Sequence, residues 1–522
     1  MADYFIAVKA QNLRASMFDT EDLSTIRGAS FLRIEAIRGL TAGFAELEPI
    51  TVGVAFGVWQ FAARSDPDAK DVVERIEAHL VACERSVLTF GVACVRADAF
   101  ANFRDCKRAL IARLQRSQLS AANVAYPVAT GETCPVDLVR PVAADEIWVG
   151  GERKAVSHAV YVRRKAGVDQ KQKYAAELID GSVLSDAFGT TVAEVKRAPF
   201  ALLLSSISEG AEPPAGLKPN LYDKIAVIHM DGNGFGALQD RCLATNDFPN
   251  GIQAQKDFDE RLEANRKTLI AAIVECLDVG KAAGKPSPDE KALRDDRNTP
   301  PSTTDFRTDT IIRFEALLWG GDDLTIIVPA RLGWTVAQTI VETMNSPSWM
   351  FGDRAMRSAI GLVFCHHDAP IARIRTLADR LLTHLKHTTS TWSGEPRAGR
   401  DHTLLFPLVL ESFDHIGEGL DDYLNKRVTP DLRNPDDAIR KARRNAFFAL
   451  DAADMCELQA LAKARDGDPE ASRGRLRKLA QAAHHGKLAT MNEDETLARQ
   501  WMLLEDLWDY LVPLETDAGA VS

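Results

Sequence analysis

The 522-residue chain lacks the marks of several protein classes. Its eight cysteines form no CxxC pair, so their spacing indicates neither a zinc ribbon nor a disulfide framework. No uninterrupted apolar run approaches the ~18 residues that a membrane-spanning helix needs. The opening residues, MADYFIAVKAQ, lack the charged segment and long apolar core of a secretory signal. We therefore expect a cytoplasmic protein with reduced cysteines and no membrane partner.

Positive charge is also scarce. Lys and Arg number 63 against 74 Asp and Glu, for a formal net charge of −11. A nonspecific nucleic-acid binder gains affinity by neutralising phosphates, so this balance argues against a free-standing protein of that kind. The remaining composition, 46% hydrophobic and 26% charged, is that of a globular protein. At roughly 150 residues per domain, the length predicts about three or four domains.

Apolar patterning predicts an α+β fold of four domains. Residues 1–130 alternate strand-like and helix-like segments, and residues 216–410 repeat that order. Residues 131–215 are less regular and contain several prolines, which indicates an intervening domain. Residues 411–522 show apolar spacings of three and four, which predict a helical C-terminal domain.

The order of elements within residues 216–410 is informative. It runs strand, helix, strand, turn, strand, helix, strand, helix, and the βαββαβ part is the ferredoxin-like order of palm domains. A charged, proline-rich segment at 284–305 is predicted to be a mobile loop. The first unit looks like a distant copy, because IAV at 6–8 lies in its first strand as IAV at 225–227 does in the second.

Three acidic residues mark strand ends in the second unit. Asp231 directly follows KIAVIHM, and Asp322 and Asp323 end a GGDD turn between ALLW and LTIIV. The first and third strands of a βαββαβ sheet are neighbours, so the three carboxylates should converge. Their repulsion would be removed by divalent cations that prefer oxygen ligands. We predict two Mg²⁺ or Mn²⁺ ions, held by Asp231, Asp322, Asp323 and the Gly232 carbonyl.

Such a pair of ions can activate an attacking hydroxyl and stabilise the pyrophosphate leaving group at a nucleotide phosphate. The surrounding glycines permit tight turns and leave backbone amides accessible to triphosphate oxygens. The predicted nucleotide-binding residues of the second unit are Gly232, Asn233, Gly234, Phe235, Gly236, Gly320 and Gly321.

Three other interpretations of these motifs are open. DGNGFGALQDRC resembles a calcium loop, although Phe235 occupies a ligand position and Cys242 stands where a bidentate Glu is needed. It also resembles a dinucleotide fingerprint, although Asp231 would repel the pyrophosphate. In the third interpretation, GGDD is a polar hairpin tip without function, and the presence of Asp231 at the neighbouring strand end has no explanation.

Together the motifs resemble a known family. DGNG at 231–234, GGDD at 320–323 and SAIGLVFCHHDAPIARIRTLADRLLTHLKH at 358–387 are similar to the catalytic palm of the large polymerase-like subunit of type III CRISPR effector complexes. That family is related to GGDEF diguanylate cyclases and class III nucleotide cyclases. LSTIRGASFLRIEAI at 23–37 resembles its non-catalytic first palm. The resemblance covers most of the chain and implies two palm (cyclase-like) domains.

The resemblance implies an enzyme that converts ATP to cyclic oligoadenylate second messengers in antiviral defence. Its partners would be other subunits of a ribonucleoprotein complex, with guide RNA and an activating target RNA. The resemblance also implies metal ligation by the three aspartates, neutralisation of triphosphate charge by Lys386, and a nucleotide contact by Ser30. For these two residues the structural alternatives are a solvated lysine and a helix-capping serine.

The chain also departs from the family pattern. Many members begin with an HD nuclease domain, whereas this chain opens on a predicted palm strand, so we expect no DNA cleavage. The run His366-His367-Asp368 contains an HD pair, but its place within the palm pattern favours a structural role. Only Cys134 remains of the family's four-cysteine zinc site, so we expect no zinc. Asn233 stands where many relatives have an acid, which should weaken one metal site.

Two alternative functions stay open. A GGDEF-like cyclase would make another cyclic nucleotide, although Asp323-Leu324 replaces Glu-Phe. A scaffold subunit with a degenerate polymerase would make no messenger. Its partner or RNA could face the basic segments RKARR (440–444) and RGRLRKLAQ (473–481), although a solvated helix face is the commoner meaning of such charges.

Overall fold

Two β-sheets with the same connectivity organise this mixed α+β protein. The computed structural model describes residues 2–12, 16–82, 87–120, 131–149, 152–171, 200–209, 213–244, 247–277, 283–295, 311–388, 402–416, 419–433, 438–465, 478, 480–481 and 495–514. The elements of the first unit are β1 (Ala2–Gln11), α1 (Leu23–Gly43), β2 (Glu48–Val52), β3 (Phe56–Ala63), α2 (Asp66–Val81), β4 (Thr89–Arg96) and α3 (Phe103–Ser120). Its four strands form the first sheet, in the order β2-β3-β1-β4.

Short elements connect the two sheets. They are the hairpin β5 (Glu146–Val149) and β6 (Glu152–Ala155), then α4 (His158–Asp169) and α5 (Leu204–Ile207).

The elements of the second unit are β7 (Lys224–Gly232), α6 (Phe235–Cys242), α7 (Phe248–Leu277), β8 (Ala283–Gly284), α8 (Pro288–Asp295), β9 (Ile311–Ile312), β10 (Glu315–Gly320), β11 (Asp323–Pro329), α9 (Ala330–Met344), β12 (Met350–Phe351), β13 (Arg354–Ala355), β14 (Ser358–His366), α10 (Ile371–His387) and β15 (Leu404–Val409). Five of these strands form the second sheet, in the order β10-β11-β7-β14-β15, whereas β8 with β9 and β12 with β13 form separate two-stranded sheets. Without β15, the strand order is the same as in the first sheet.

Strand β15 pairs in parallel with β14 and was missed by the sequence patterns. Pro407 lies within it, and proline is tolerated in a sheet only where its missing N–H is not needed. The edge position of β15 meets that condition. The helices that follow are α11 (Leu420–Arg427), α12 (Ala438–Ala446), α13 (Ala452–Arg465) and α14 (Glu495–Leu511).

The predicted mobile loop at 284–305 is wrong in part, because it contains helix α8. Ser287 Oγ accepts the backbone N–H of Glu290, and Pro288 occupies the first helical position. The buried Glu290 carboxylate accepts the backbone N–H groups of Leu202 and Leu203. Ser-Pro-Asp-Glu is a helix-start signal that the surrounding charge concealed. Residues 296–305 lie outside the described residues.

Helix α1 joins the two sheets through a buried ion network. Arg27 Nε donates to Glu315 Oε1 on β10 at 2.9 Å, and Lys171 Nζ donates to Glu315 Oε2 at 2.7 Å. All three side chains are at most 4% exposed. A buried carboxylate is stable only with such compensation, so Glu315 couples the β10 strand to the first unit and to the segment after α4.

Helices α1 and α4 cross at two glycines. A Cβ at Gly28 would lie 1.6 Å from the carbonyl oxygen of Arg163, and one at Gly167 would lie 1.9 Å from that of Ser24. The two backbones therefore pack directly against each other. None of the helices in the described part of the chain is long and apolar enough to cross a membrane.

We expect Gly28→Ala to lower the free energy of unfolding by about 2 kcal/mol or more, because a methyl group there meets backbone that must move. Gly43→Ala on the same helix is the matched control, since its nearest new contact is an ordinary 3.7 Å from His79. Thermal denaturation of the full chain measures both. Equal melting temperatures for the two variants would contradict the close helix crossing.

Candidate active site

The three predicted acids meet at one edge of the second sheet. Asp231 lies at the end of β7, and Asp323 begins the neighbouring strand β11, where Leu324 pairs with Met230. One carboxylate oxygen from each of Asp231, Asp322 and Asp323 lies within 4.8 Å of the others. The predicted convergence is therefore confirmed, and it follows from the adjacency of the first and third strands.

Glycines allow this close approach. Gly321 has φ +63°, which suits a residue without a side chain in the tight turn between β10 and β11. A Cβ at Gly232 would lie 2.7 Å from the Cβ of Asp322, and the Gly232 N–H donates to the Asp322 carboxylate. Any larger residue at position 232 would push the aspartate away from its neighbours.

The first unit reaches this turn. A Cβ at Gly320 would lie 1.8 Å from Cγ2 of Val54, which is in the turn between β2 and β3. The β2–β3 turn is the counterpart of the GGDD turn in the first sheet. The tips of two corresponding hairpins therefore pack against each other at the candidate site.

Crowding raises the pKa values of two of the acids. Burial, and then the charge of Asp323, raise the pKa of Asp322 to about 7. Burial also raises the pKa of Asp323, while Arg375 and Arg33 act in the opposite direction. A divalent cation would replace the lost solvation with direct oxygen ligation. The donor set of three carboxylates therefore fits the predicted Mg²⁺ or Mn²⁺ ions.

Lys386 lies at the same place. Its Nζ contacts Oδ2 of Asp231, and its side chain is 23% exposed. The alternative of a solvated lysine is therefore wrong. The ammonium group occupies the position of a counterion for the carboxylates.

Other predicted residues have different surroundings. Asn233 Nδ2 donates to the carbonyl oxygen of His402 at 3.2 Å. Gly234 has φ +68° and, like Gly236, faces open space. The ring of Phe235 packs on that of Phe258, with centroids 5.6 Å apart. The nucleotide contacts predicted for Asn233, Gly234, Phe235 and Gly236 stay predictions.

Ser30 is the eighth residue of α1 and is fully buried. The alternative role of helix cap is wrong, because Asp22 caps α1 by accepting the N–H of Thr25 at 2.7 Å. No described residue hydrogen-bonds to the Ser30 hydroxyl. Its predicted nucleotide contact stays a prediction.

The histidine pair lies away from this site. Ser358 begins β14 opposite Gly232, whereas His366 ends the strand opposite Lys224. Eight residue steps at ~3.3 Å separate the two ends by roughly 26 Å. One ligand atom from each of His366, His367 and Asp368 also lies within 4.8 Å of the others, but the side chains of His366 and Asp368 are exposed. This group is separate from the three aspartates.

Three residues that contact the GGDD turn or influence the pKa of Asp323 were not predicted from the sequence, namely Val54, Arg33 and Arg375. The sequence around Val54 does not indicate its contact with the GGDD turn, because apolar residues occur at hairpin tips for many reasons. Arg375 did carry a signal, because it lies four residues after the buried Ile371 of α10 and so falls on the apolar stripe of the helix. A charge in that position indicates a buried cation.

Comparisons with known proteins give the fold. No protein-family profile matches the chain, and no curated protein matches its sequence. Among solved structures, a Csm1-Csm4 cassette in complex with AMPPNP aligns with 98% of this chain and 68% of that chain, at 12% identity and a TM-score of 0.51. The chain has the fold of Csm1.

Two further structures show lower TM-scores. Csm1 of T. onnurineus aligns with 99% of this chain and 66% of that chain, at 13% identity and a TM-score of 0.46. A Csm1-Csm4 cassette in complex with cA4 aligns with 98% and 70%, at 14% identity and a TM-score of 0.44. The chain thus spans about two thirds of the length of the chains that it matches.

The raised pKa of Asp322 predicts a pH-dependent stability. The folded-state pKa of about 7 exceeds the ~3.9 of an unfolded aspartate. The folded state therefore holds the Asp322 proton more tightly than the unfolded state does. The stability that this proton contributes is fully present below about pH 4 and is lost as the pH rises through 7. In EDTA, we expect Asp322→Asn to melt above the wild type at pH 8, with the difference closing towards pH 5. Asp368→Asn is the exposed control, and a difference independent of pH would contradict the assigned pKa.

Proposed function

We propose that the protein is a nucleotidyltransferase of a CRISPR antiviral defence complex that converts ATP to cyclic oligoadenylates. One observation carries this proposal: three carboxylates converge within 4.8 Å at the strand ends of a βαββαβ sheet. Such a set has no structural use in a hairpin tip, because burial and repulsion make it costly. It does suit the binding of divalent cations and a nucleotide phosphate.

We infer that the two sheets are the centres of two palm domains, at 1–130 and 216–410, with an intervening domain at 131–215 and a helical domain at 411–522. The shared strand order supports this division. Only the second palm would hold metal. In the first, Asn12 follows β1 where Asp231 ends β7, and the β2–β3 turn offers Gly53, Val54 and Ala55 in place of acids.

The proposed reaction joins two nucleotides. The 3′-hydroxyl oxygen of one ATP bonds to the α-phosphorus of another, the α–β phosphoanhydride bond breaks, pyrophosphate leaves and the hydroxyl proton passes to water. Asp231, Asp322, Asp323 and the Gly232 carbonyl would hold two Mg²⁺ or Mn²⁺ ions, which when bound lower the charge barrier of this displacement. The side chain of Lys386 and the amides of the loop at 232–236 would orient the triphosphate.

The related fold supports the substrate and the partners of this proposal. The Csm1-Csm4 cassette with the TM-score of 0.51 binds AMPPNP, an analogue of ATP, and pairs Csm1 with a second subunit. We propose ATP as substrate and other subunits of a type III complex as partners, with guide and target RNA reached through that complex. Of the basic segments that could face such partners, RKARR at 440–444 lies in α12. RGRLRKLAQ at 473–481 falls largely outside the described residues.

We expect the double variant Asp322→Ala, Asp323→Ala to reduce metal-dependent ATP consumption to background, because the cation ligands are lost. The assay uses labelled ATP with Mg²⁺ or Mn²⁺, on the full chain alone and with its neighbouring subunits and target RNA, and resolves the products. Unchanged ATP consumption would instead support the scaffold function. Products from GTP in preference to ATP would support a GGDEF-like cyclase.

A matched control for this assay is His367→Ala, Asp368→Ala, which removes the second cluster of potential ligands. Because that cluster lies at the far end of β14, we expect cyclic oligoadenylate formation to be unaffected. If this variant lost activity while the Asp322→Ala, Asp323→Ala variant kept it, the active site would lie at the histidines instead.

Lys386 should affect nucleotide binding. Removing a charged hydrogen-bond partner of the triphosphate costs about 1.5–3 kcal/mol, equivalent to about a tenfold to hundredfold loss of affinity. We therefore expect Lys386→Met to raise KM for ATP by about tenfold or more and Lys386→Arg to retain part of the affinity. KM is measured in the product assay. An unchanged KM in Lys386→Met would contradict this role.

A further inference from the structure

The turn between β14 and α10 brings two imidazoles and a carboxylate together. His366 ends β14, and His367 and Asp368 follow it in the chain. His367 Nδ1 lies 3.0 Å from Asp368 Oδ1, and His366 Nδ1 lies 3.6 Å from Asp368 Oδ2. Two donors on a tetrahedral zinc ion, with bonds of about 2.0–2.1 Å, lie about 3.3 Å apart. Both separations are therefore close to those of ligands that share one cation.

The hydrogen bonding of His366 leaves a place for such a cation. Its Nδ1 accepts the backbone N–H of Asp368 at 3.2 Å, so this nitrogen presents its lone pair and carries no proton. The Asp368 carboxylate beside it is also an acceptor, and no proton joins the two. The rings of His366 and His367 stack, with centroids 4.6 Å apart, which keeps both imidazoles at the turn. A cation bound between these acceptors satisfies them together.

A second carboxylate lies beside His367. Asp223 Oδ1 is 3.9 Å from His367 Nε2, just beyond hydrogen-bond distance, and the Asp223 carbonyl oxygen accepts the His367 backbone N–H at 2.9 Å. A histidine that binds metal through one ring nitrogen usually donates its other N–H to a carboxylate, a carbonyl or water, which orients the ring. Asp223 has the position of that partner. Burial lowers the pKa of His367, so its imidazole is neutral at pH 7, the form that binds metal.

Helix capping does not account for this cluster. The backbone N–H of Ala372 in the first turn of α10 donates to Glu21 Oε2 at 2.7 Å, a residue of the first unit. The N-cap position of α10 is occupied by Pro370, which makes no side-chain capping bond. The first turn of α10 therefore takes its side-chain hydrogen bond from Glu21, and Asp368 does not occupy the N-cap.

The donor set indicates the class of metal. Imidazole nitrogen suits Zn²⁺ and Ni²⁺, whereas the oxygen-only set of the three aspartates suits Mg²⁺ or Mn²⁺. The side chains of His366 and Asp368 are 51% and 77% exposed, so an ion reaches them from solvent and keeps coordination positions for water.

We propose that His366, His367 and Asp368 bind one zinc ion, with Asp223 orienting the ring of His367 and water completing the coordination. The site contains no cysteine. It lies at the opposite end of β14 from the three aspartates, and it joins the end of that strand to the turn before α10. The ion takes no part in the proposed reaction, so the site does not depend on the proposed function.

Calorimetry tests this site by titrating Zn²⁺ into the full chain, stripped of metal with EDTA and then transferred to excess Mg²⁺. We expect the wild type to bind one more zinc ion than His367→Ala, because that variant loses an imidazole ligand. The additional ion should persist in the Asp322→Asn, Asp323→Asn variant, which removes the other cluster of potential ligands.

Two further variants separate the proposed ligands from ordinary surface histidines. Asp223→Asn should weaken the additional zinc ion by about tenfold or more, and asparagine tolerates the φ of +58° at this position. His158→Ala is the matched control and should match the wild type. His158 forms a similar exposed pair with Asp145, at 3.1 Å between Nδ1 and Oδ2, but its side chain is not part of a three-ligand cluster.

Substitution with Co²⁺ distinguishes this site from the cysteines. The difference spectrum between the wild type and His367→Ala should show d–d bands without a thiolate-to-cobalt charge-transfer band. The site is overturned if these two proteins bind the same number of zinc ions, if His158→Ala loses as much binding, or if the difference spectrum contains the thiolate band. Melting temperatures in EDTA identify a misfolded variant. In that case Asp368→Asn, at an exposed position, decides the outcome, with an expected loss of zinc affinity of about tenfold or more.

Discussion

The crowding of three carboxylates is the constraint on which the rest of the site depends. Asp231, Asp322 and Asp323 lie within 4.8 Å of one another, and burial raises the pKa values of Asp322 and Asp323, with the charge of Asp323 adding to the rise for Asp322. The glycines of the turn let the acids approach, and the cation of Lys386 offsets part of their charge. A protein gains nothing in stability from such an arrangement, which is why the proposed function assigns these carboxylates to cation binding.

The two sheets share one connectivity but differ in chemistry. The hairpin of the first carries Val54 where the second carries GGDD, and the two tips are in contact. The first unit therefore acts as a support: it packs against the turn, and the charge of its Arg33 opposes the rise in the pKa of Asp323.

Much of this site follows from the sequence. Strand ends are visible in apolar patterns, and the neighbouring positions of the first and third strands of a βαββαβ sheet bring Asp231 to the GGDD turn. Val54 acts through packing between distant segments, which no local pattern contains, whereas Arg375 could have been noticed from its position on the apolar stripe of α10. Strand β15 and helix α8 were not predicted for another reason. A proline within β15 and the run of charges around α8 outweighed the weaker signals for a strand and a helix start.

The buried carboxylate of Glu315 has a consequence for dissecting the protein. Its two cations come from Arg27 and Lys171, both of which precede the second sheet in the chain. A fragment that starts at residue 216 would lack both counter-charges of Glu315 and also helix α1, which packs against β10. The half of the chain that carries the three aspartates is thus not a self-sufficient module, because residues from the first half complete its core.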